Sequence, residues 1–343
     1  MMSKYLVKPI HPFAPAKGDS IATLLEKMGG TSFQARSLSR ALEIWLDMLK
    51  DETGIFLGLA GAMVPAGMRE VIAYLIENRL IDCLVSTGAN LFHDCHETLG
   101  HHHWQGSTKV DDMALRSEGI DRIYDTFARE KEFKKVDLFI AEWASTLEQD
   151  RPYTTREFLY RLGEKLSQTS DKRGILTSAF GKKLPIYCPA IGDSSIGIAL
   201  AQGRVKGTNR IVFNVIQDAI ELTRIVTSTP STGVIYIGGG TPKNFIQQTA
   251  IIAPIISQWK GEGHKYAVQI TTDSPQWGGL SGCSFEEAQS WGKIAERALK
   301  TTVNCDATIA LPILASGLIE KWGKAKRGLH LEFSMGETLE VSL

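Results

Sequence analysis

Apolar positions in this chain change their period along its length. From Phe33 to Lys50, Leu38, Leu42, Trp45, Leu46 and Leu49 recur at helical spacing, which predicts a helix. A second helical stretch precedes it, after an extended arm of some fifteen residues that carries Pro9, Pro12 and Pro15. Beyond residue 50 the apolar residues come instead in short, mostly apolar runs, at 54–59, 83–87, 186–188, 211–213, 234–237 and 266–270. Such runs suit parallel strands buried on both faces. Helical patterns lie between them, including 67–79 with Val71, Ile72, Leu75 and Ile76 on the buried side. Strands alternating with helices predict an α/β protein with a mostly parallel sheet and helices on both faces.

Residues 111–183 interrupt the alternation with a charged, mainly helical insertion, in which 148–156 reads as a surface connection. Residues 1–343 therefore read as a single domain, with 1–50 as the N-terminal arm and helices; two domains is the alternative. No internal repeat, heptad run or low-complexity tract is present.

Thirty-eight basic residues balance thirty-eight acidic ones, so no net field holds the chain on nucleic acid or an anionic membrane. No run of eighteen apolar residues occurs, and the first residues lack the apolar core of a signal peptide. Cys83, Cys95, Cys188, Cys283 and Cys305 are odd in number and never form a C-x-x-C pair. Reduced thiols in a cytoplasmic protein are expected.

Open α/β sheets bind ligands at the carboxyl ends of their strands. Four loops stand there: Ser86-Thr87-Gly88, Gly192-Asp193-Ser194, Gly238-Gly239-Gly240 and Thr271-Thr272-Asp273. Glycines let a phosphate approach the backbone, and a following helix offers unpaired N–H groups. Asp193 and Asp273 are placed to hydrogen-bond ribose hydroxyls. Each loop alone also reads as a tight turn capping a helix, but several on one sheet edge favour a nucleotide.

Glu286, Glu287, Trp291, Gly292 and Lys293 form a second constellation. In a helix over 285–291, Glu287 and Trp291 share a face, and Lys293 points away from Trp291 unless Gly292 ends the helix in a left-handed turn. Such a turn would bring the amine back to a carboxylate and an indole, suited to amine or imine chemistry. On these residues alone, an exposed helix-end lysine is the more ordinary reading.

The third constellation is His93, Asp94, His96 and Glu97, followed by His101-His102-His103. On a helix capped by Asn90, Leu91, Phe92, Cys95 and Leu99 make the buried face, and His93, His96 and Glu97 lie together on the other. A divalent metal there is the lesser reading, which would make the protein a metal-dependent hydrolase of a guanidino or amino compound. His93 as a polar ligand contact is the greater one, and no metal site is assigned.

Read in order, the segments FLGLAGAMVPAGMREVIAYLI, DCLVSTGAN, LRSEGIDRIYD, PIYCPAIGDSSIG, GVIYIGGGTPKNF, EEAQSWGKI and NCDATIALPI resemble deoxyhypusine synthase and its bacterial and archaeal relatives. The resemblance runs over about residues 55–313, and the SWGK block is a specific signature. It implies a Rossmann-like fold, bound NAD, and a homotetramer with active sites at subunit interfaces. It also implies a reaction in which hydride leaves spermidine and the butylamine portion passes as an imine to an enzyme lysine and then to an acceptor amine. Lys293 matches that lysine; Glu287 and Trp291 match polyamine contacts. Asp193 matches an NAD contact, and Thr87, Gly239, Gly240, Thr272, Asp306 and Ala307 fall on further NAD positions. Asn244 stands where eukaryotic members have a histidine that assists proton movement. Ile198 and Leu280 stand at two polyamine-gripping aspartates, and His93 at a glutamate. Fewer anionic groups suit a less charged amine. The expected acceptor is thus a free diamine such as putrescine, with a homospermidine-type product; the alternative is a lysine of a translation initiation factor 5A homologue.

Overall fold

Six segments pair into one parallel sheet in the computed structural model, which describes residues 4–259, 261–323 and 325–343. Its strands are β1 (Thr53–Leu59), β2 (Cys83–Ser86), β3 (Ile186–Tyr187), β4 (Ser231–Ile237), β5 (His264–Thr271) and β6 (Ile294–Asn304). They lie in the order β3-β2-β1-β4-β5-β6, each neighbouring pair parallel. This is the order of the doubly wound dinucleotide fold, whose winding reverses between β1 and β4 and opens a crevice at the carboxyl ends of the strands.

The apolar runs have a direct cause. Successive residues on a strand face opposite sides, so a sheet covered twice needs both to be apolar. Ile55, Leu57 and Leu59 of β1, Ile235 and Ile237 of β4 and Val268 and Ile270 of β5 join one core with the helix Phe33–Lys50. Phe56, Val234, Tyr236 and Ala267 from the same strands join a second core, with Leu222, Ile225 and Val226 of the helix Val215–Thr227 and Ile246 of the helix Gly240–Ile256.

The predicted helices at 33–50 and 67–79 form as Phe33–Lys50 and Arg69–Glu77. Segment 211–213 is not a strand. Phe213 makes one parallel bridge to Tyr153, with Tyr153 N–H donating to Val212 O at 2.9 Å and Asn214 N–H to Tyr153 O at 2.8 Å. Its partner offers only that residue, because Pro152 has no N–H and Thr154 already caps the helix Thr155–Thr169. The 111–183 insertion is mainly helical, but holds the hairpin Ile120–Ile123 and Thr126–Arg129 that the apolar pattern did not predict. Edge strand β6 was likewise missed: Glu296, Arg297 and Lys300 break its apolar run, as suits a strand with one free edge.

The reading of 148–156 as a surface connection fails at its end. Arg156 is completely buried, pairs with the buried Glu221 at 3.0 Å, and donates to the carbonyls of Gly336 at 2.7 Å and Glu337 at 3.0 Å. It ties the sheet-covering helices to the C-terminal hairpin of Glu332–Met335 and Leu339–Ser342. Arg156→Ala would leave Glu221 buried without its cation, with the Leu339 N–H still donating to it at 3.3 Å, and is expected to cost about 3–5 kcal/mol. A urea midpoint equal to that of the wild type would show that the pair does not hold the hairpin.

Candidate active site

The short helix Phe285–Ser290 is capped by Ser284, whose Oγ accepts from Glu287 N–H at 3.1 Å. It ends in the left-handed turn that the Lys293 reading required. Gly292 has φ +71°, its N–H donates to Gln289 O at 2.9 Å, and Lys293 N–H donates to Ala288 O at 3.0 Å. These two crossed bonds are a Schellman termination, which glycine adopts without Cβ strain. The turn sends the Lys293 side chain back over the helix end. Its Nζ donates to Asn244 Oδ1 at 3.0 Å and lies 5.5 Å from the centre of the Trp291 ring. Lys293, Asn244, Trp291 and Glu287 line one cavity of about 140 Å³, walled also by Leu280 and Cys283.

Sequence reasoning missed Lys243 in this wall. It is buried, and its Nζ donates to Gln269 Oε1 at 2.9 Å and to Cys283 O at 2.5 Å. Burial pulls its ammonium down to about 8. Lys243 falls with Ile246, Gln247, Ala250 and Ala253 on the buried stripe of its helix, and that spacing was the available signal. Gln269 carries the network onward, donating to Gly238 O and Ser281 O at 2.8 Å each, while Gly240 N–H donates to Ser281 Oγ at 3.1 Å. The loop that walls the Lys293 cavity is thus pinned to the glycine turn after β4.

That turn borders a second cavity of about 450 Å³, where the ends of β1, β4, β5 and β6 meet. Gly239, Thr272, Asp273, Asp306 and Ala307 come together there. A Cβ on Gly239 would lie 2.4 Å from Ser281 Cα, so only glycine fits the turn as built. Gly240 opens the helix Gly240–Ile256, whose N-terminus faces this edge with N–H groups and a positive dipole end. Asp306 caps the next helix, Ala307–Trp322, and hydrogen bonds from the Thr308 hydroxyl and amide hold its carboxyl below the ordinary range. A glycine cradle, a helix N-terminus and two carboxylates fit a dinucleotide, since the turn offers N–H groups to phosphates and the carboxylates of Asp273 and Asp306 can accept from ribose hydroxyls. Ser86, Thr87 and Gly88 lie one loop further along, and Thr87 Oγ1 donates to Gly61 O at 3.2 Å on the cavity rim. Asp193 lies beyond them after β3, exposed and outside the residues that line the cavity.

His93 is not part of the carrier cavity. The helix Gly88–Thr98 starts a turn earlier than expected, with Thr87 as its N-cap. Asn90 is buried within it, accepting from Val64 N–H at 3.2 Å and donating to Thr87 Oγ1 at 3.1 Å. The supposed polar face is covered too, because Phe133 of the helix Glu130–Ser145 packs on His93 and His96. His93 Nδ1 lies 2.9 Å from His103 Nε2, and His103 Nδ1 lies 2.7 Å from Glu97 Oε1. Asp94 is saturated by Arg69 Nε and the N–H groups of Ile175 and Leu176, each at 2.8 Å. Among the described residues, no three His, Cys, Asp or Glu side chains converge to hold a metal ion.

Burial, with the neighbouring His103 and His96, pushes His93 down to about 3, and burial takes His96 and His264 to about 4. Their neutral forms favour the fold fully above the unfolded value near 6.5, an advantage lost as pH falls toward 4. In an NMR titration, these three of the eight histidines are expected to stay neutral from pH 7 to 5. Ordinary titration of all eight would show that the cluster is not buried.

A doubly wound dinucleotide fold with a lysine turned into a pocket beside the crevice at its strand ends suits the class of enzymes that work on amines with a dinucleotide. The deoxyhypusine synthase family model matches residues 23–318. Probable deoxyhypusine synthase 2 of Archaeoglobus fulgidus is 55% identical over 293 residues, covering 85% of this chain and 96% of its own. Probable deoxyhypusine synthase 1 of the same organism is 41% identical over 309 residues, covering 90% and 97%. A crystal structure from Entamoeba histolytica, provisionally assigned as a deoxyhypusine synthase, superposes with a TM-score of 0.62 at 18% identity, covering 91% of this chain and 96% of that one; this likeness speaks to fold alone. The chain belongs to the deoxyhypusine synthase family, whose members are NAD-dependent transferases of alkyl groups.

Proposed function

We propose that this protein transfers the butylamine portion of spermidine, through an imine on Lys293, to a free diamine of the putrescine class, giving a homospermidine-type product. The observation that carries the reading is the Gly292 turn, which sets the Lys293 amine beside Trp291, Glu287 and Asn244 and next to the cofactor crevice. Glu287 holds a substrate ammonium, and Trp291 packs on its methylenes and charge. Asn244 Oδ1 orients the Lys293 amine for attack at the imine carbon. Gly239, Gly240, Thr272, Asp273, Asp306 and Ala307, with Ser86, Thr87, Gly88 and Asp193 along the same edge, would hold NAD, which would supply the hydride chemistry at the amine carbon.

Two observations support a free amine as acceptor. Glu287 is the one carboxylate among the residues lining the carrier cavity, and Leu280 adds an apolar wall, so a highly charged amine finds few partners. Archaeoglobus fulgidus has two relatives of this chain, and the chain shares more identity with the second; two family members in one cell leave one free for an acceptor other than a protein lysine. Leu280 and Trp291, which line the cavity, and Trp277 three residues before Leu280 are exposed, which supports an assembly, read here as a homotetramer, whose neighbouring subunit covers each site. In this reading residues 1–343 form one domain, and the neutral His93 supports the site from outside the carrier cavity.

The test is transfer from spermidine labelled in its butylamine portion, with putrescine or a purified translation initiation factor 5A homologue as acceptor. Labelled homospermidine is expected with putrescine; label in the factor alone would overturn the free-amine reading. Leu280→Asp is expected to lower KM for triamines relative to diamines by about threefold to tenfold. An unchanged ratio would remove Leu280 from the selectivity argument.

A further inference from the structure

Lys243 is 1% exposed, and its ammonium hydrogen-bonds an amide oxygen and a backbone carbonyl rather than a carboxylate, a costly placement for a cation. Both its acceptors are fixed. Gln269 is held by its own bonds to Gly238 and Ser281, and the Cys283 acceptor is a backbone carbonyl. An ammonium has three N–H groups, and a neutral amine has two and a lone pair. Either form therefore satisfies both acceptors, and the two differ only at the third position. Lys243 is part of the wall of the Lys293 cavity, so the group stands beside the place where the proposed imines would form.

The charged and titratable groups facing Lys243 are Cys283, Glu287 and Asp273, which favour its cation, and Lys293, which opposes it; burial outweighs them and brings it to about 8. The Tyr236 and Phe285 rings flank its Nζ at 5.9 and 5.8 Å. An acid–base group works best with its pKa near the operating pH. The other groups of the cavity suit that task less. Asn244 has no titratable proton, Glu287 is needed as a carboxylate, and burial pushes the Cys283 thiol up.

We propose that Lys243 is the acid–base residue that moves the proton between the two nitrogens during imine exchange at Lys293. The proposal rests on the transferase reading above. The acceptor amine attacks the carbon of the protonated imine, forming a C–N bond, and the π pair moves to the Lys293 nitrogen. The attacking nitrogen, now an ammonium, gives a proton to neutral Lys243. Lys243 passes a proton to the Lys293 nitrogen, the bond from carbon to that nitrogen breaks, and the lone pair of the acceptor nitrogen makes the new C=N. Lys293 leaves as a neutral amine. No oxidant, reductant or further reactant is consumed.

The experiment is single-turnover exchange from the Lys293 adduct to putrescine, on NAD-loaded wild-type protein and on Lys243→Arg, Lys243→Ala and Lys243→Met. Arginine keeps charge and donors but does not deprotonate, and methionine fills the space without a proton. All three are expected to bind NAD within about threefold of the wild type and to exchange about 10²–10³-fold more slowly. Trimethylamine takes a proton but, lacking an N–H, cannot become an imine acceptor. It is expected to restore Lys243→Ala, and related tertiary amines to do so according to their basicity. Lys243→Arg or Lys243→Met exchanging at the wild-type rate with the wild-type pH profile would overturn the proposal. So would folded, NAD-bound Lys243→Ala that no tertiary amine rescues. A wild-type protein that traps no adduct at Lys293 removes the transferase reading and this proposal with it, whereas normal trapping with fast exchange in the variants removes the Lys243 role alone.

Discussion

Lys293→Ala is expected to lower aminobutyl transfer by more than about 10³-fold while the protein still folds and binds NAD. Losses of that order follow removal of a group that forms the covalent intermediate. The fold has little to lose, because the Lys293 side chain is half-exposed, lines the cavity rather than a core, and among the described residues hydrogen-bonds only Asn244. The turn that aims it depends on Gly292 and on backbone bonds to Ala288 and Gln289, which the substitution leaves intact. Steady-state assay with NAD binding measured on the same sample separates the two effects. Substantial residual transfer would mean that the group passes directly from donor to acceptor.

Gly239→Ala is expected to weaken NAD binding by about tenfold or more, with transfer falling in proportion. The new methyl would stand 2.4 Å from Ser281 Cα, a backbone atom that moves only with its loop. Overpacking of this kind costs roughly 1–3 kcal/mol, and about 1.4 kcal/mol is a tenfold change in affinity. Displacing Ser281 would also disturb its bonds to Gly240 and Gln269, and through Gln269 the Lys243 contact in the carrier cavity. Calorimetric titration with NAD is the check. Unchanged affinity would place the cofactor elsewhere on the sheet edge.

The central strands were legible because β1, β4 and β5 are buried on both faces and are therefore mostly apolar along their middles. Edge strand β6 was not, since a strand with one neighbour tolerates Glu296, Arg297 and Lys300. The carrier site was half legible. Gly292 announced a possible reversal, and the structure shows one, but nothing local revealed that Asn244, forty-nine positions earlier, would receive the Lys293 amine. Lys243 and Arg156 were missed for a common reason: a charged residue in a single sequence reads as surface, and burial of both depends on partners distant in the chain, Gln269 and Glu221. The histidine run misled in the opposite sense. Its spacing suggested an open ligand set, while Phe133 and the rings themselves close it into a packed cluster.

The most direct test of the carrier role is to incubate the protein with NAD and spermidine, reduce with borohydride, and map the peptides by mass spectrometry. An aminobutyl group on Lys293, and on no other lysine, is the predicted result. Polyamine product formed while Lys293 stays unmodified, or the label found on Lys243 instead, would contradict it.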